Sequence, residues 1–291
     1  MKIIAIFYNN GGVGRTTTTV NISACLAEEK GEEAYAVDLD NAAFLSDALN
    51  VQGGSYIGDI LREVRKVRKE DFGTTPTSKF FVLKNRRNEI NDELFQNFIH
   101  TLTKYKADRD KGVIEFDEEK DEILRDLEEA SKDKDGNVKA LDKTLILKVL
   151  FNKLEGDFLL FDCPQYYELP TLNVLRCADY LLCPLEMTPK GLGTLESILQ
   201  VHKQTVLVNP NLKLLGFFAS KAKMHLRRFK IMIPALKKQL GNLFFNATIS
   251  ENESIINSQR NDEKKTIFEY GDIKAIQEYI NLTNEMLLKM Q

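Results

Sequence analysis

The chain lacks any apolar run of roughly 18 residues, which excludes a hydrophobic helix long enough to span a bilayer. It also lacks a large excess of either charge. Forty Lys and Arg face 43 Asp and Glu, leaving a formal net charge of −3. Bulk charge therefore excludes a general polyanion binder, and any nucleic-acid contact needs a local basic patch. Cysteine is scarce, and Cys25, Cys163, Cys177 and Cys183 have no metal-type spacing. Their apolar flanks read as reduced core positions of an intracellular protein. The three histidines, His225 among them, show no metal spacing either. No signal or transit pattern precedes the first strand-like run, so the expected location is cytoplasmic. Internal repeats and low-complexity tracts are lacking as well.

What the chain has is a phosphate-binding loop, Asn9-Asn10-Gly11-Gly12-Val13-Gly14-Arg15-Thr16-Thr17, directly after the apolar run 3–8. Glycines let backbone N–H groups close around phosphate oxygens, and the helix that follows offers its positive N-terminus. Thr16 is placed to ligate magnesium. The general pattern has Gly at position 9 and Lys at position 15, where this chain has Asn9 and Arg15. The loop announces a nucleotide site and alters its chemistry in the same nine residues.

Apolar runs recur at 3–8, 34–38, 80–84, 158–162, 180–184, 214–219 and 243–249. Helical patterns at 15–30, 192–207 and 227–240 lie between them. Strand then helix, repeated, predicts an α/β fold: a doubly wound, mostly parallel sheet with helices on both faces. With 291 residues the chain fits one large domain of this kind, carrying an insertion. Ligands of such sheets sit at the carboxyl ends of the strands, where Asn10, Asp38, Asp162 and Pro184 stand. Period-2 alternation puts Asp38 and Asp40 on one side. Beside a triphosphate, one acid would hold the magnesium shell and the other would orient a water. Asp162 ends an apolar strand and suits the same water shell.

Residues 85–137 break the rhythm with dense charge. Ile123, Leu124 and Leu127 recur at helical spacing, so the stretch reads as one or two solvated helices, packed on the sheet edge or protruding as a hairpin. Asp133-Lys-Asp-Gly-Asn137 carries part of a calcium-loop pattern. Ser131 and Asp142 occupy its first and twelfth positions in place of Asp and Glu, and a plain turn is the better reading. The C-terminal helix 273–290 has an apolar stripe and only Lys274 and Lys289, which predicts docking onto the sheet and argues against a membrane surface.

In order, Asn10-Gly-Gly-Val-Gly-Arg-Thr-Thr, Val37-Asp-Leu-Asp, Phe161-Asp-Cys-Pro and Cys183-Pro-Leu-Glu-Met-Thr-Pro resemble the ParA/MinD family of deviant-loop ATPases. Tyr56-Ile-Gly-Asp-Ile-Leu61, Ile249-Ser-Glu-Asn and Lys264-Lys-Thr-Ile-Phe-Glu-Tyr match its ParA branch. The resemblance covers most of the chain outside 85–137. It implies the P-loop NTPase fold, ATP and Mg2+ as cofactors, and an ATP-dependent homodimer closed face to face around two nucleotides. It also implies non-specific DNA binding, hydrolysis triggered by a ParB-like or adaptor protein, and positioning of a plasmid, chromosome locus or other cargo. By position, Gly11, Gly12, Val13, Gly14, Arg15, Thr16 and Thr17 would wrap the phosphates. Thr16 would ligate magnesium, Asp38 and Asp162 would support its waters, and Asp40 would orient the attacking water. Pro184 and Met187 would border the nucleotide and the dimer face.

Asn10 and Arg15 stand where the family has catalytic lysines. The first of these reaches across to the partner subunit, and the second contacts the β- and γ-phosphates. Arginine keeps the charge but presents a longer planar fork. Loss of the cross-subunit cation weakens transition-state stabilisation. Candidate replacements are Lys190, Lys221 and Lys223. Late in the chain, Ser250 and Asn257 replace the family's Pro and Glu. Lys221, Lys223, Arg227, Arg228 and Lys230 form the densest basic stretch, with a second at 62–69, and each reads either as a DNA contact or as a solvated helix face. Three functions follow: a nucleoid-associated ATPase switch with weak or partner-stimulated hydrolysis, a hydrolysis-deficient nucleotide- or DNA-binding scaffold, or a metabolic synthetase of the same loop class.

Overall fold

The computed structural model describes residues 1–260 and 263–291. Its strands are β1 (Lys2–Ile6), β2 (Ala34–Asp38), β3 (Gly73–Thr74), β4 (Phe80–Leu83), β5 (Phe158–Asp162), β6 (Tyr180–Glu186), β7 (Lys213–Ala222) and β8 (Phe244–Ser250). They form one 8-stranded sheet in the order β3-β4-β2-β5-β1-β6-β7-β8. All pairings among them are parallel except β3 with β4. This is the expected doubly wound α/β sheet. β3 escaped the sequence reading because two residues, Gly73 and Thr74, carry no periodicity.

The helices are α1 (Arg15–Lys30), α2 (Phe44–Ala48), α3 (Ile57–Glu63), α4 (Asp92–Asp110), α5 (Glu118–Ala130), α6 (Ile146–Leu150) and α7 (Leu169–Cys177). They continue with α8 (Pro189–Gly193), α9 (Leu195–Val206), α10 (Arg227–Leu240), α11 (Glu253–Ser258), α12 (Ile267–Tyr270) and α13 (Ile273–Lys289). Alternation along β1 sorts them into two layers. Ile4 and Ile6 face one core with Ile22 and Leu26 of α1 and Tyr279, Leu282 and Met286 of α13. Ala5 and Phe7 face the larger core, with α3 to α7, α9 and α10. The C-terminal helix thus docks on the sheet, as its single apolar stripe requires.

The charged stretch is a part of that larger core. Leu94, Phe95, Phe98, Leu102 and Tyr105 of α4 and Ile123, Leu124 and Leu127 of α5 are buried in it. The charge lies on the outer faces, and the apolar residues three and four apart form the inner ones. Residues 133–137 form a turn in which Asp133 Oδ1 accepts from the N–H groups of Asp135 at 3.0 Å and Asn137 at 2.9 Å. Cys25, Cys163 and Cys183 are buried free thiols, and Cys177 is half-buried and free.

Each cation of the basic stretch 62–69 has a carboxylate partner among the described residues. Arg62 pairs with Glu89, Lys66 with Asp126, Arg68 with Glu119 and Lys69 with Glu33. Arg65 grips the Asp71 carboxylate with both terminal nitrogens at 2.8 Å. Burial alone would raise the Asp71 pKa, but hydrogen bonds from Arg65, Ser55 and the Arg68 N–H outweigh it and lower it.

Leu102→Ala is expected to destabilise the whole fold by about 2–5 kcal/mol in a urea titration with a single transition. An unchanged midpoint would mean that the charged stretch folds apart from the core. Because the folded Asp71 pKa is lowered, its contribution is present above the unfolded value of about 3.9 and lost as pH falls through the folded value. Asp71→Asn should therefore lower stability at pH 7 and flatten the acid-side loss below about pH 4, read from denaturation midpoints across that range.

Candidate functional site

β1 ends at Ile6, and the loop closes before α1 begins at Arg15. Gly12 and Gly14 adopt φ of 74° and 93°, a region where other residues are strained. Gly14 precedes the first helical residue without any side-chain cap, so the first N–H groups of α1 remain available to an anion. Ser220 Oγ, at the end of β7, donates to the Val13 carbonyl at 2.8 Å and pins the loop to the sheet.

The carboxyl ends of β1, β5 and β2 lie side by side. Asp162 is in register with both Ile6 and Asp38. Asp38 and Asp162 are fully buried. Asp38 Oδ2 accepts from the Ser46 N–H at 2.8 Å and the Ser46 hydroxyl at 2.7 Å. Burial pushes the Asp38 carboxyl up to about 7 against these bonds. Asp162 is also raised, by burial and then by the adjacent Asp38 charge. The Thr16 hydroxyl donates to Asp162 Oδ2 at 2.7 Å. Asp162 Oδ1 is buried with no partner.

That orphan oxygen suits a magnesium shell. A magnesium-bound water would satisfy it, and Thr16 lies one hydrogen bond away. Among the described residues no cluster of three or more His, Cys, Asp or Glu side chains surrounds a metal position. Magnesium held by phosphate oxygens and its own waters needs only one or two protein ligands.

Arg15 departs from the expected phosphate contact. Its head is buried, with Nη1 donating to the carbonyls of Tyr8 at 2.9 Å and Asn10 at 2.7 Å. Nη2 pairs with Asp40 Oδ2 at 3.0 Å. Asp40 lies two residues beyond Asp38, just past the end of β2, and its N–H donates to Asp38 Oδ1 at 3.2 Å. The expected water-orienting acid is held in an ion pair. Asn10 is buried, which removes it from any reach across to a second subunit.

A cavity of about 650 Å³ opens over the loop and is lined by Gly11 to Thr17 together with Asp40, Phe44, Arg87, Gln165, Lys221 and Gln259. A second cavity of about 220 Å³ shares Gly14, Thr17, Lys221 and Gln259 with it and adds Ile249, Asn252 and Ile255. Pro184 and Met187 are buried, and neither lines these cavities. Their position follows from β6, which flanks β1 on the side away from β5 and turns its end into the core.

The basic residues separate. Lys221 lines both cavities, while Lys223 pairs with Glu251 at 2.9 Å. Arg227, Arg228 and Lys230 are exposed at the start of α10. Lys190 is exposed on α8, and neither it nor Lys223 lines the cavities. Sequence reasoning missed Ser46, Arg87, Gln165, Ser220 and Gln259. Gln165 directly follows the Asp-Cys-Pro strand end, the one available signal. The others reach the site only through folding.

A glycine loop between a central parallel strand and a helix, with a threonine hydroxyl on a second strand-end acid, defines a P-loop nucleotide-binding protein. A family model described as an AAA domain matches residues 1–214. The chain belongs to the ParA/MinD family of P-loop ATPases. It is 23% identical over 254 residues to the chromosome-partitioning ATPase Soj of Treponema pallidum, covering 86% of this chain and 83% of that one. The cell division ATPase MinD of Pyrococcus furiosus shares the fold with a TM-score of 0.68 and 21% identity, over 100% of this chain and 99% of that one. Cobyrinic acid a,c-diamide synthase of Mycobacterium smegmatis, solved with an ATP analog and magnesium, gives 0.64 and 18% identity over 99% and 94% of the two chains.

Thr16→Val and Asp162→Asn are each expected to abolish the extra thermal stabilisation that magnesium adds to ATP, with the ATP shift in EDTA kept. Melting curves with ATP plus magnesium and ATP plus EDTA check this. A magnesium increment equal to that of the native chain would remove both residues from the metal site.

Proposed function

We propose that the chain is a ParA-like ATPase used as a switch. It binds ATP–Mg2+ over the glycine loop and closes into a nucleotide-sandwich homodimer. The dimer holds DNA without sequence preference and positions or segregates a plasmid, chromosome locus or other cargo. Its place is the cytoplasm, in association with the nucleoid. The observation that carries this reading is the Thr16 hydroxyl on Asp162, whose other oxygen is buried and unpaired at the foot of the loop. A loop that bound no nucleotide would have no physical need for that arrangement.

The Arg15–Asp40 ion pair supports slow hydrolysis. A carboxylate neutralised by a guanidinium is a poor base and is not free to hold a water. A ParB-like or adaptor protein that stimulates turnover would have to free Asp40 or supply a cation. Among the DNA candidates, Arg227, Arg228 and Lys230 occupy the first turn of α10, which has no acidic residue. Cations there oppose the helix dipole, so their benefit lies in an anionic partner. The 220 Å³ cavity with Ile249 and Ile255 offers an apolar place for a nucleobase beside the phosphates. The buried Asn10 and the paired Asp40 favour a second reading, a scaffold that binds nucleotide without turnover.

Sedimentation with and without ATP–magnesium, repeated with DNA at two salt concentrations, tests the switch. Nucleotide-dependent mass and DNA binding are expected, whereas nucleotide-independent behaviour would favour the scaffold. Arg227→Ala with Arg228→Ala should lower DNA affinity and reduce the salt slope by about two. Phosphate release should rise about tenfold or more when Asn10→Lys and Arg15→Lys are combined. Native turnover already at the level of that double variant would contradict weakened chemistry.

A further inference from the structure

We propose that Lys221, at the end of β7, supplies the ammonium that the loop itself lacks and holds the terminal phosphates of the nucleotide. This rests on the nucleotide reading of the 650 Å³ cavity.

Three cations line that cavity: Arg15, Arg87 and Lys221. Arg15 is committed to Asp40 and to two carbonyls of its own loop. Arg87 donates to Asp47 at 2.6 Å. Lys221 is the one of the three with no carboxylate partner among the described residues. A lysine with no carboxylate partner that lines a glycine-loop cavity offers a point charge suited to phosphate oxygens.

Its placement is built into the sheet. The preceding Ser220 is buried and hydrogen-bonded to the Val13 carbonyl, so the loop and the end of β7 are fastened one residue away from Lys221. Lys221 itself adopts φ of 50°, the left-handed region that a lysine rarely occupies. The strand resumes its pairing at once, with Ala222 opposite Ser250. Backbone strain confined to one cavity-lining residue marks a position held for its side chain. Lys223, two residues on, already has Glu251 and lines neither cavity. Lys221 therefore leaves the DNA-contacting group and joins the nucleotide site.

Calorimetric titration of ATP and of AMP, both with magnesium, into the native chain, Lys221→Met and Lys221→Arg tests this. Lys221→Met should weaken ATP about tenfold, one charge-assisted contact, and leave AMP nearly unchanged. Lys221→Arg should recover part of the loss. The side chain is exposed, so the unliganded melting temperatures should agree. Native ATP affinity in Lys221→Met would overturn the proposal while leaving the nucleotide reading intact. Equal losses for ATP and AMP would mean a distorted pocket and would also overturn it. A native chain that binds neither nucleotide would show that the nucleotide reading itself had failed.

Discussion

Two carboxylates buried side by side, Asp38 and Asp162, set the terms for everything around them. Neither can stay ionised at such depth without compensation: burial raises both, and the Asp38 charge raises Asp162 further. The protein answers on one side with the amide and hydroxyl of Ser46, which satisfy Asp38. On the other side it supplies a single hydroxyl, from Thr16, and leaves one oxygen of Asp162 unanswered. A magnesium-bound water would satisfy that oxygen. The parallel sheet makes the side-by-side placement of the two acids unavoidable, because β2 and β5 end in register beside the loop.

The substitutions in the loop change where positive charge is held. A lysine can extend from a helix start to a phosphate as a compact head. Arg15 instead lies under its own loop, where a planar fork matches the two carbonyls and Asp40. The loop is thereby braced from inside, and Asp40 is neutralised. Positive charge without a carboxylate partner among the described residues lies elsewhere in the fold, on β7 and α10. The resting chain accordingly has a formed cradle and an Asp40 held in an ion pair.

The glycine loop, the strand-end acids and the doubly wound sheet were legible because each depends on a short local pattern: glycines at fixed offsets, an apolar run closed by Asp, alternation of strand and helix. The partners of those groups were not. Ser46, Gln165, Ser220 and Gln259 come to the loop across long stretches of chain, and no spacing announces them. The ion pair that Asp40 makes with Arg15 was not legible either, because it forms between the loop helix and the chain just past β2. Pro184 and Met187 were carried over by position; both are buried, Met187 in the larger core. The ion pairing of the basic stretch 62–69 was not legible, because the acids that meet it, among them Glu33, Glu119 and Asp126, are distant in sequence. At 85–137 the stripe Ile123, Leu124 and Leu127 of α5 was legible, whereas its counterpart on α4, Leu94, Phe95, Phe98 and Leu102, was not read amid the dense charge.

That stripe has a consequence for how such chains diversify. A peripheral cassette can be exchanged or trimmed without penalty, but α4 and α5 share one core with Phe151, Leu159 and Phe161. A shortened relative without them would leave the inner helices α3, α6 and α7 bare to water and would need a new cover there. Variation is therefore confined to outward residues of these two helices that make no ion pair, while the apolar inward residues and the acids paired with Lys66 and Arg68 stay fixed.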